Sequence, residues 1–225
     1  MSTHPSFFGF VATTMDAVIL IEAARYGIIT TFIQTPDFDT TPHSGAIFVV
    51  VKQDGPGGLN RWRDSRSWTN RRPMGNGFDL YREVCKAGDA PISPELRAFE
   101  LNNRPQLYPV LGARVGIAEA KENGLLKKTL SFDFNGYTFM VVNYYALADV
   151  LFDRLPRPRH LAIGLTIRYD QLPTTYWNAQ YTAGGHKKQM RIVDDGGVLP
   201  AGWFSGWWNA PEVQHPNLPP NNNAQ

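Results

Sequence analysis

Residues 125–145 read LLKKTLSFDFNGYTFMVVNYY, and their pattern decides the fold class. Leu126, Lys128, Leu130, Phe132 and Phe134 fall on one face of an extended chain, and Lys127, Thr129, Ser131 and Asp133 on the other. A period of two is the mark of a strand. Asn135-Gly136 follows, a pair suited to the positive φ of a two-residue type I′ turn. YTFMVVNYY, rich in β-branched and aromatic residues, is the return strand. The stretch predicts a β-hairpin. Lys128 shares a face with Leu130 and Phe132, so the strand is expected to begin after it, or the Lys127-Lys128 pair is expected to donate to phosphates.

Working outward, Phe7 to Val11 predicts a short strand, and Thr13 or Thr14 caps a helix from Met15 to about Tyr26 that Gly27 stops. Val18, Ile21 and Ile28, with Ala17 and Ala24, suit one face of it, with Glu22 and Arg25 elsewhere. AIFVVVK, residues 46–52, predicts a buried strand, and DGPGG, residues 54–58, breaks it. FDLYREV, residues 78–84, predicts another strand. Residues 86–123 hold Pro91, Pro94, Pro105 and Pro109 without sustained periodicity. They predict an insertion with a short helix near residues 94–100. Residues 146–155 have helical spacing, residues 161–169 predict one more strand, and the Gly/Pro-rich chain after residue 170 ends in a tail expected to be disordered.

The chain has 225 residues, 43% of them apolar and 19% charged, a globular composition able to bury a core unaided. Twenty Gly and seventeen Pro argue against a helical bundle. A single cysteine, Cys85, excludes an internal disulfide framework and cysteine zinc fingers, and the five histidines are too dispersed for a His-x-x-x-His zinc site. Neither a metal nor a cofactor is expected. No apolar run approaches the roughly 20 residues of a membrane span, and MSTHPSFFGF lacks the charged start of a secretory signal. No P-loop, dinucleotide fingerprint or nucleophile elbow occurs, so no catalytic residues are assigned and no enzyme is expected.

Charge is nearly balanced, at +2, but unevenly placed. LNRWRDSRSWTNRR, residues 59–72, carries Arg61, Arg63, Arg66, Arg71 and Arg72 against Asp64 alone, or +4, leaving −2 for the rest. Turn signals bracket it, DGPGG before and PMGNG after. Guanidiniums so concentrated repel one another unless an anion is near, and their planar fork suits phosphate and base edges. A basic loop of this kind can enter the narrow, electronegative minor groove of A·T-rich DNA. Trp62 and Trp68 are read as anchors of the loop. Asp64 is read as the partner of Arg61 or Arg66 in a surface pair, and Arg66, midway between the tryptophans, as the tip.

With these residues in view, the sequence resembles the WOPR-domain family of fungal DNA-binding transcriptional regulators. The resemblance lies in residues 9–27, 44–49, 59–83 and 124–145, most specifically in R-W-x-D-x-R-x-W at 61–68, G-N at 75–76, Y-R-E at 81–83 and G-L-L-K-K-T at 124–129. It implies an α+β fold, an antiparallel β-sheet core with a few flanking helices, in which two sequence blocks form one globular unit. The first block is expected at 7–84, a variable insertion or linker at 85–123, the second block at 124–170 and a C-terminal extension at 171–225. The resemblance further implies double-stranded DNA as partner, a short A/T-rich element read in the minor groove, and action in the nucleus on fungal development and morphology. The residues it implicates in DNA binding are Arg61, Arg66 and Arg72 with Lys127, Lys128 and Thr129. Arg63, which replaces a small hydroxyl residue, joins them on charge, and Trp62, Asp64 and Trp68 are the loop supports. Asn60 stands where a basic residue is common. The alternative is a protein-interaction module or a short competitor paralogue without activating function, for the chain after the second block is short for this family. GWFSGWW, residues 202–208, would then be a protein-binding surface.

Overall fold

The computed structural model of the chain describes residues 4–33, 42–52, 62–112, 119–134, 136–167, 172, 176 and 178–193. The element order is β1 (Phe7–Phe8), α1 (Thr14–Arg25), β2 (Thr31–Phe32), β3 (Ala46–Lys52), β4 (Arg72–Gly75), β5 (Phe78–Arg82), α2 (Pro94–Asn102), α3 (Arg104–Leu111), β6 (Leu126–Phe134), β7 (Tyr137–Tyr145), α4 (Leu147–Leu151), a 3-10 turn (Pro158–His160), α5 (Ala162–Thr166), β8 (Gln180–Ala183) and β9 (His186–Gln189). The antiparallel α+β class expected from the sequence is the class observed.

The β6–β7 hairpin pairs from Leu126↔Tyr145 to Phe134↔Tyr137, a register closed by a two-residue turn. It is the middle of one sheet ordered β1-β3-β7-β6-β5-β4. Among the described strands only β2, beside β3, runs parallel to its neighbour. β8 and β9 form a second hairpin that joins β6 at Asp133↔Gln180, past the end of β5.

Alternation gives this sheet two working faces. On one, Ile47, Val49, Leu130, Phe132 and Val141 meet α1, whose Val18, Ile19, Leu20 and Ile21 are buried. At the end of the same face, Leu80, Leu126 and Tyr145 pack with Leu107, Val110 and Leu111 of α3. On the opposite face, Phe48, Val142 and Tyr144 form a smaller cluster that Trp62 and Trp68 cover. The helices therefore hold one side of the sheet and the arginine-bearing chain lies across the other.

α1 is buried on nearly every side, in place of the single apolar face expected. Its carboxylates survive burial because each has cationic or hydroxyl donors. Asp16 completes a capping box with Thr13 and takes Arg157 Nη2 at 2.8 Å. Glu22 accepts from Arg25 and from the Tyr176 hydroxyl. Gly27, at φ +71°, takes the left-handed turn that ends the helix.

One expectation is corrected. Residues 161–167 do not add a strand; Ile163 of the short helix α5 and Ile167 at its end, four residues apart, are buried against α1. A Cβ at Gly164 would stand 2.5 Å from the Arg159 carbonyl oxygen, so glycine permits that helix to seat on the preceding turn. Residues 85–123 hold α2, near the helix expected at residues 94–100, and also α3. Arg82 of β5 makes two hydrogen bonds, at 2.5 and 2.6 Å, to the buried Glu100 of α2, so this stretch is bolted into the core. Lys187 and Lys188 lie in β9. The aromatic cluster 202–208 and the C-terminal tail lie outside the described residues.

Candidate nucleic-acid interface

Residues 62–71 run from the back face of the sheet to β4. They are held along their length by β5 and the strand ends beside it. Thr69 N donates to Arg82 O at 2.8 Å and Val84 N to Ser67 O at 3.0 Å, with Trp68 bridged to Glu83. Ser65, at φ +59°, turns the chain, and its carbonyl accepts from Lys86 Nζ at 3.1 Å.

Beneath the turn lies Asp64, 4% exposed. Its Oδ1 accepts from Trp68 Nε1 at 2.7 Å and from Arg66 N at 3.3 Å. Its Oδ2 accepts from Lys127 Nζ at 2.9 Å and from the Tyr144 hydroxyl at 2.6 Å. The Tyr144 oxygen in turn accepts from Trp62 Nε1 at 2.6 Å. Burial alone would raise the Asp64 carboxyl, but the Lys127 ammonium and the hydrogen bonds from Trp68, Tyr144 and Lys127 outweigh it and hold it below the ordinary carboxylate range. Burial first, and then the Asp64 carboxylate, push the Tyr144 phenol well above its ordinary range, so it stays a donor. Asp64 is therefore a buried hub rather than a surface residue, and the Arg66 guanidinium pairs with Glu83 instead.

The two lysines diverge, as neighbours on a strand must. Lys127 points to the back face and stands over the Trp68 ring, 4.2 Å from its centroid. Lys128 points into the helix side, 3% exposed, and donates to Val11 O at 3.0 Å and Ala12 O at 2.9 Å. Its ammonium also faces the Phe78 ring at 4.2 Å. The expectation that Lys128 donates to phosphate is corrected: in this structure its hydrogens are spent on the chain that leads into α1.

The arginines separate likewise. Arg66, expected at the tip, is the inner tie: Nη1 donates to Glu83 Oε2 at 2.5 Å and Nη2 to Pro42 O at 3.0 Å. Glu83 also accepts from Leu125 N at 3.0 Å, which links the loop to the mouth of the β6–β7 hairpin. Arg71 pairs with Asp79 at 2.8 Å while its side chain stays 49% exposed. Arg72 is partly buried in β4. Arg63, Ser65 and Asn70 are the residues that, with Arg71, face outward. Arg61 lies outside the described residues.

The loop forms one wall of an open cleft of about 1060 Å³. The outward side chains of β5 and β6, among them Tyr81, Thr129 and Ser131, make its floor, and β8 makes the facing wall. Five cations and three carboxylates line it. Each carboxylate already holds a cation: Asp64 with Lys127, Asp79 with Arg71 and Asp133 with Lys187. Among the described residues no group of three or more His, Cys, Asp or Glu is placed to hold a metal ion. No helix among them is long and apolar enough to cross a membrane.

The chain is thus an antiparallel sheet with helices on one face and a tryptophan-anchored arginine loop on the other. Residues 6–107 match the Gti1/Pac2 family model. The chain is 29% identical over 193 residues to the global transcription regulator sge1 of Fusarium oxysporum f. sp. lycopersici, covering 70% of this chain and 58% of that protein. It is 37% identical over 87 residues to gluconate transport inducer 1 of Schizosaccharomyces pombe, covering 37% of this chain and 12% of that protein. A structure titled as the complex of the WOPR domain of Wor1 in Candida albicans with a 13-bp double-stranded DNA matches with a TM-score of 0.53 at 20% identity, over 77% of this chain and 94% of that one, a likeness of fold. The chain spans 58% of the sge1 length, little more than half of the curated relatives it matches. The sge1 protein of Fusarium oxysporum and FGP1 of Gibberella zeae are both named as global transcription regulators.

Proposed function

We infer that this chain binds double-stranded DNA as a transcriptional regulator of fungal development, acting in the nucleus and reading a short A/T-rich element with its arginine loop in the minor groove. The observation that carries the reading is the exposure of Arg63 on a loop immobilised from below by Asp64. A side chain that must enter a groove gains most when the backbone behind it is already ordered, because less freedom is lost on binding. A planar guanidinium answers the negative potential of a narrow minor groove. The names of the relatives and the DNA in the Candida albicans complex support the same reading.

Within it the implicated residues divide by role. Arg63 and Arg71 face the duplex, Arg61 extends the same run, and Thr129 lies on the cleft floor. Arg66, Lys127 and Lys128 act through the protein, with Trp62, Asp64 and Trp68 as the loop's foundation. Nε of Arg66 and of Arg72 are buried without a hydrogen-bond partner among the described residues. An acceptor brought within reach by a shift of either guanidinium would relieve a cost of about 1–3 kcal/mol.

Selection of bound duplexes from a random pool by the whole chain tests the proposal. Enrichment of a short A/T-rich element is expected. Absence of any enriched sequence, or enrichment of a G·C-rich one, would overturn the minor-groove reading.

A further inference from the structure

β8 is the second wall of the cleft, β9 is paired to it on the outside, and the loop's function leaves this hairpin unexplained. Residues 178–193 carry Lys187, Lys188 and Arg191 with no Asp or Glu. All four residues of β9, from His186 to Gln189, are exposed. Lys187 crosses to Asp133 on β6 at 3.1 Å, with its side chain 63% exposed, so that carboxylate is already neutralised. Lys188 pairs across the ladder with Tyr181, which lines the cleft.

The hairpin is also fixed in place. Arg191 N donates to Asn76 Oδ1 at 2.7 Å, and Asn76 Nδ2 donates to Arg191 O at 2.6 Å. Asn76 sits at φ +49° in the turn between β4 and β5, directly after the strand that receives the arginine loop. Thr14 adds a hydroxyl donated to Arg191 O at 2.8 Å. Two cationic elements, both anchored to the β4–β5 end of the sheet, therefore flank one cleft. The arginine loop on one side, and on the other a strand whose exposed partner β9 carries two lysines beyond the cleft rim, suit a polyanion that lies across the cleft and overhangs it.

We propose that the β8–β9 hairpin is a second DNA-contacting arm, binding the phosphate backbone through Lys187 and Lys188 while the arginine loop occupies the groove. This rests on the DNA reading and extends its surface to residues 180–189, beyond both sequence blocks of the resemblance. Ammonium groups suit this role, since a point charge on a flexible stem neutralises phosphate without reading bases. A nuclear-import signal is the competing account of a lysine pair. It fits less well, because β9 is already paired with β8 in a folded hairpin.

The test is the full chain with Lys187→Ala and Lys188→Ala combined, titrated with an A/T-rich and a G·C-rich duplex at several salt concentrations. Both lysines are exposed and the one ion pair lost is a surface pair, so the melting temperature should stay that of wild type. Two phosphate contacts removed should flatten the dependence of log K on log salt by about 1.8. Affinity should fall by the same factor on both duplexes, since no base contact is touched. An unchanged slope and affinity would overturn the proposal while leaving the DNA reading intact, and so would a variant whose only defect is nuclear accumulation. Failure of the wild-type chain to bind either duplex at low salt would overturn both.

Discussion

Tyr144 and Asp64 lie 80 residues apart and share a hydrogen bond of 2.6 Å. One belongs to the last strand of the hairpin, the other to the arginine loop. This contact, with the Lys127 ion pair beside it, makes the second sequence block the foundation of the first block's loop. The blocks cannot be two modules that happen to adjoin.

Removing Asp64 should therefore damage the fold and not only the loop. Asp64→Ala leaves the Lys127 ammonium without its carboxylate beneath the loop, and loss of one partner of a buried pair costs about 3–5 kcal/mol. Tyr144→Phe removes the hydroxyl alone and should cost about 1–3 kcal/mol. Urea unfolding of both variants measures this. An Asp64→Ala protein as stable as wild type would mean that the hub does not hold the loop.

The same carboxylate gives a pH signature. Its folded-state value is depressed, so the stabilisation is fully present above the ordinary value of 3.8 and is lost as pH falls through the lower folded value. Asp64→Asn should therefore be less stable than wild type at neutral pH, and the gap should close as the pH drops below about 4. Urea titrations at a series of pH values read it directly. A gap that widens in acid would contradict the ion pair.

Lys128 should behave as a core residue. Lys128→Met abandons the carbonyls of Val11 and Ala12 and should cost about 1–3 kcal/mol. The salt dependence of DNA binding should remain that of wild type, because no phosphate contact is lost. A slope shallower by about 1 without loss of stability would return Lys128 to the DNA surface.

The stretch between the blocks should resist shortening. Arg82→Ala strands Glu100 in the protein and should cost about 3–5 kcal/mol. Deletion of residues 93–111 should remove folding altogether, since it also strips Leu107, Val110 and Leu111 from the second cluster. Circular dichroism melts decide it. A deleted chain that melts cooperatively near the wild-type temperature would make the stretch a dispensable loop.

Much of this was legible in local pattern. Alternation over residues 126–134 and the Asn135-Gly136 turn defined the central hairpin. The cap at Thr13 and the stop at Gly27 defined α1. The alternation also placed Lys128 among Leu130 and Phe132, and burial follows from that. What it could not carry was the pair of carbonyls waiting 117 and 116 residues away. Asp64 suggested a neighbouring arginine because chain proximity is visible and tertiary proximity is not. In α3, Pro105 and Pro109 hid a helix whose Leu107, Val110 and Leu111 hold helical spacing. A proline in the first turn costs that helix no hydrogen bond. Gly184-Gly185 between QYTA and HKKQ was a hairpin signal, but strands of four largely polar residues offer little periodicity to find.

The division between Arg63 and Arg66 is the centre of the account, and one measurement tests it. Wild type, Arg63→Ala and Arg66→Ala are titrated with matched A/T-rich and G·C-rich duplexes across a salt series, each with a thermal melt. Arg63→Ala should keep its stability to within about 0.5 kcal/mol. It should lose about 1–3 kcal/mol of affinity for the A/T-rich duplex and much less for the other. Arg66→Ala should lower the melting temperature, since it strips Glu83 of its closest cation. If Arg63→Ala weakens both duplexes equally, or Arg66→Ala alone abolishes the A/T preference in a fully stable protein, the exposed guanidinium is not the reader and the account is wrong.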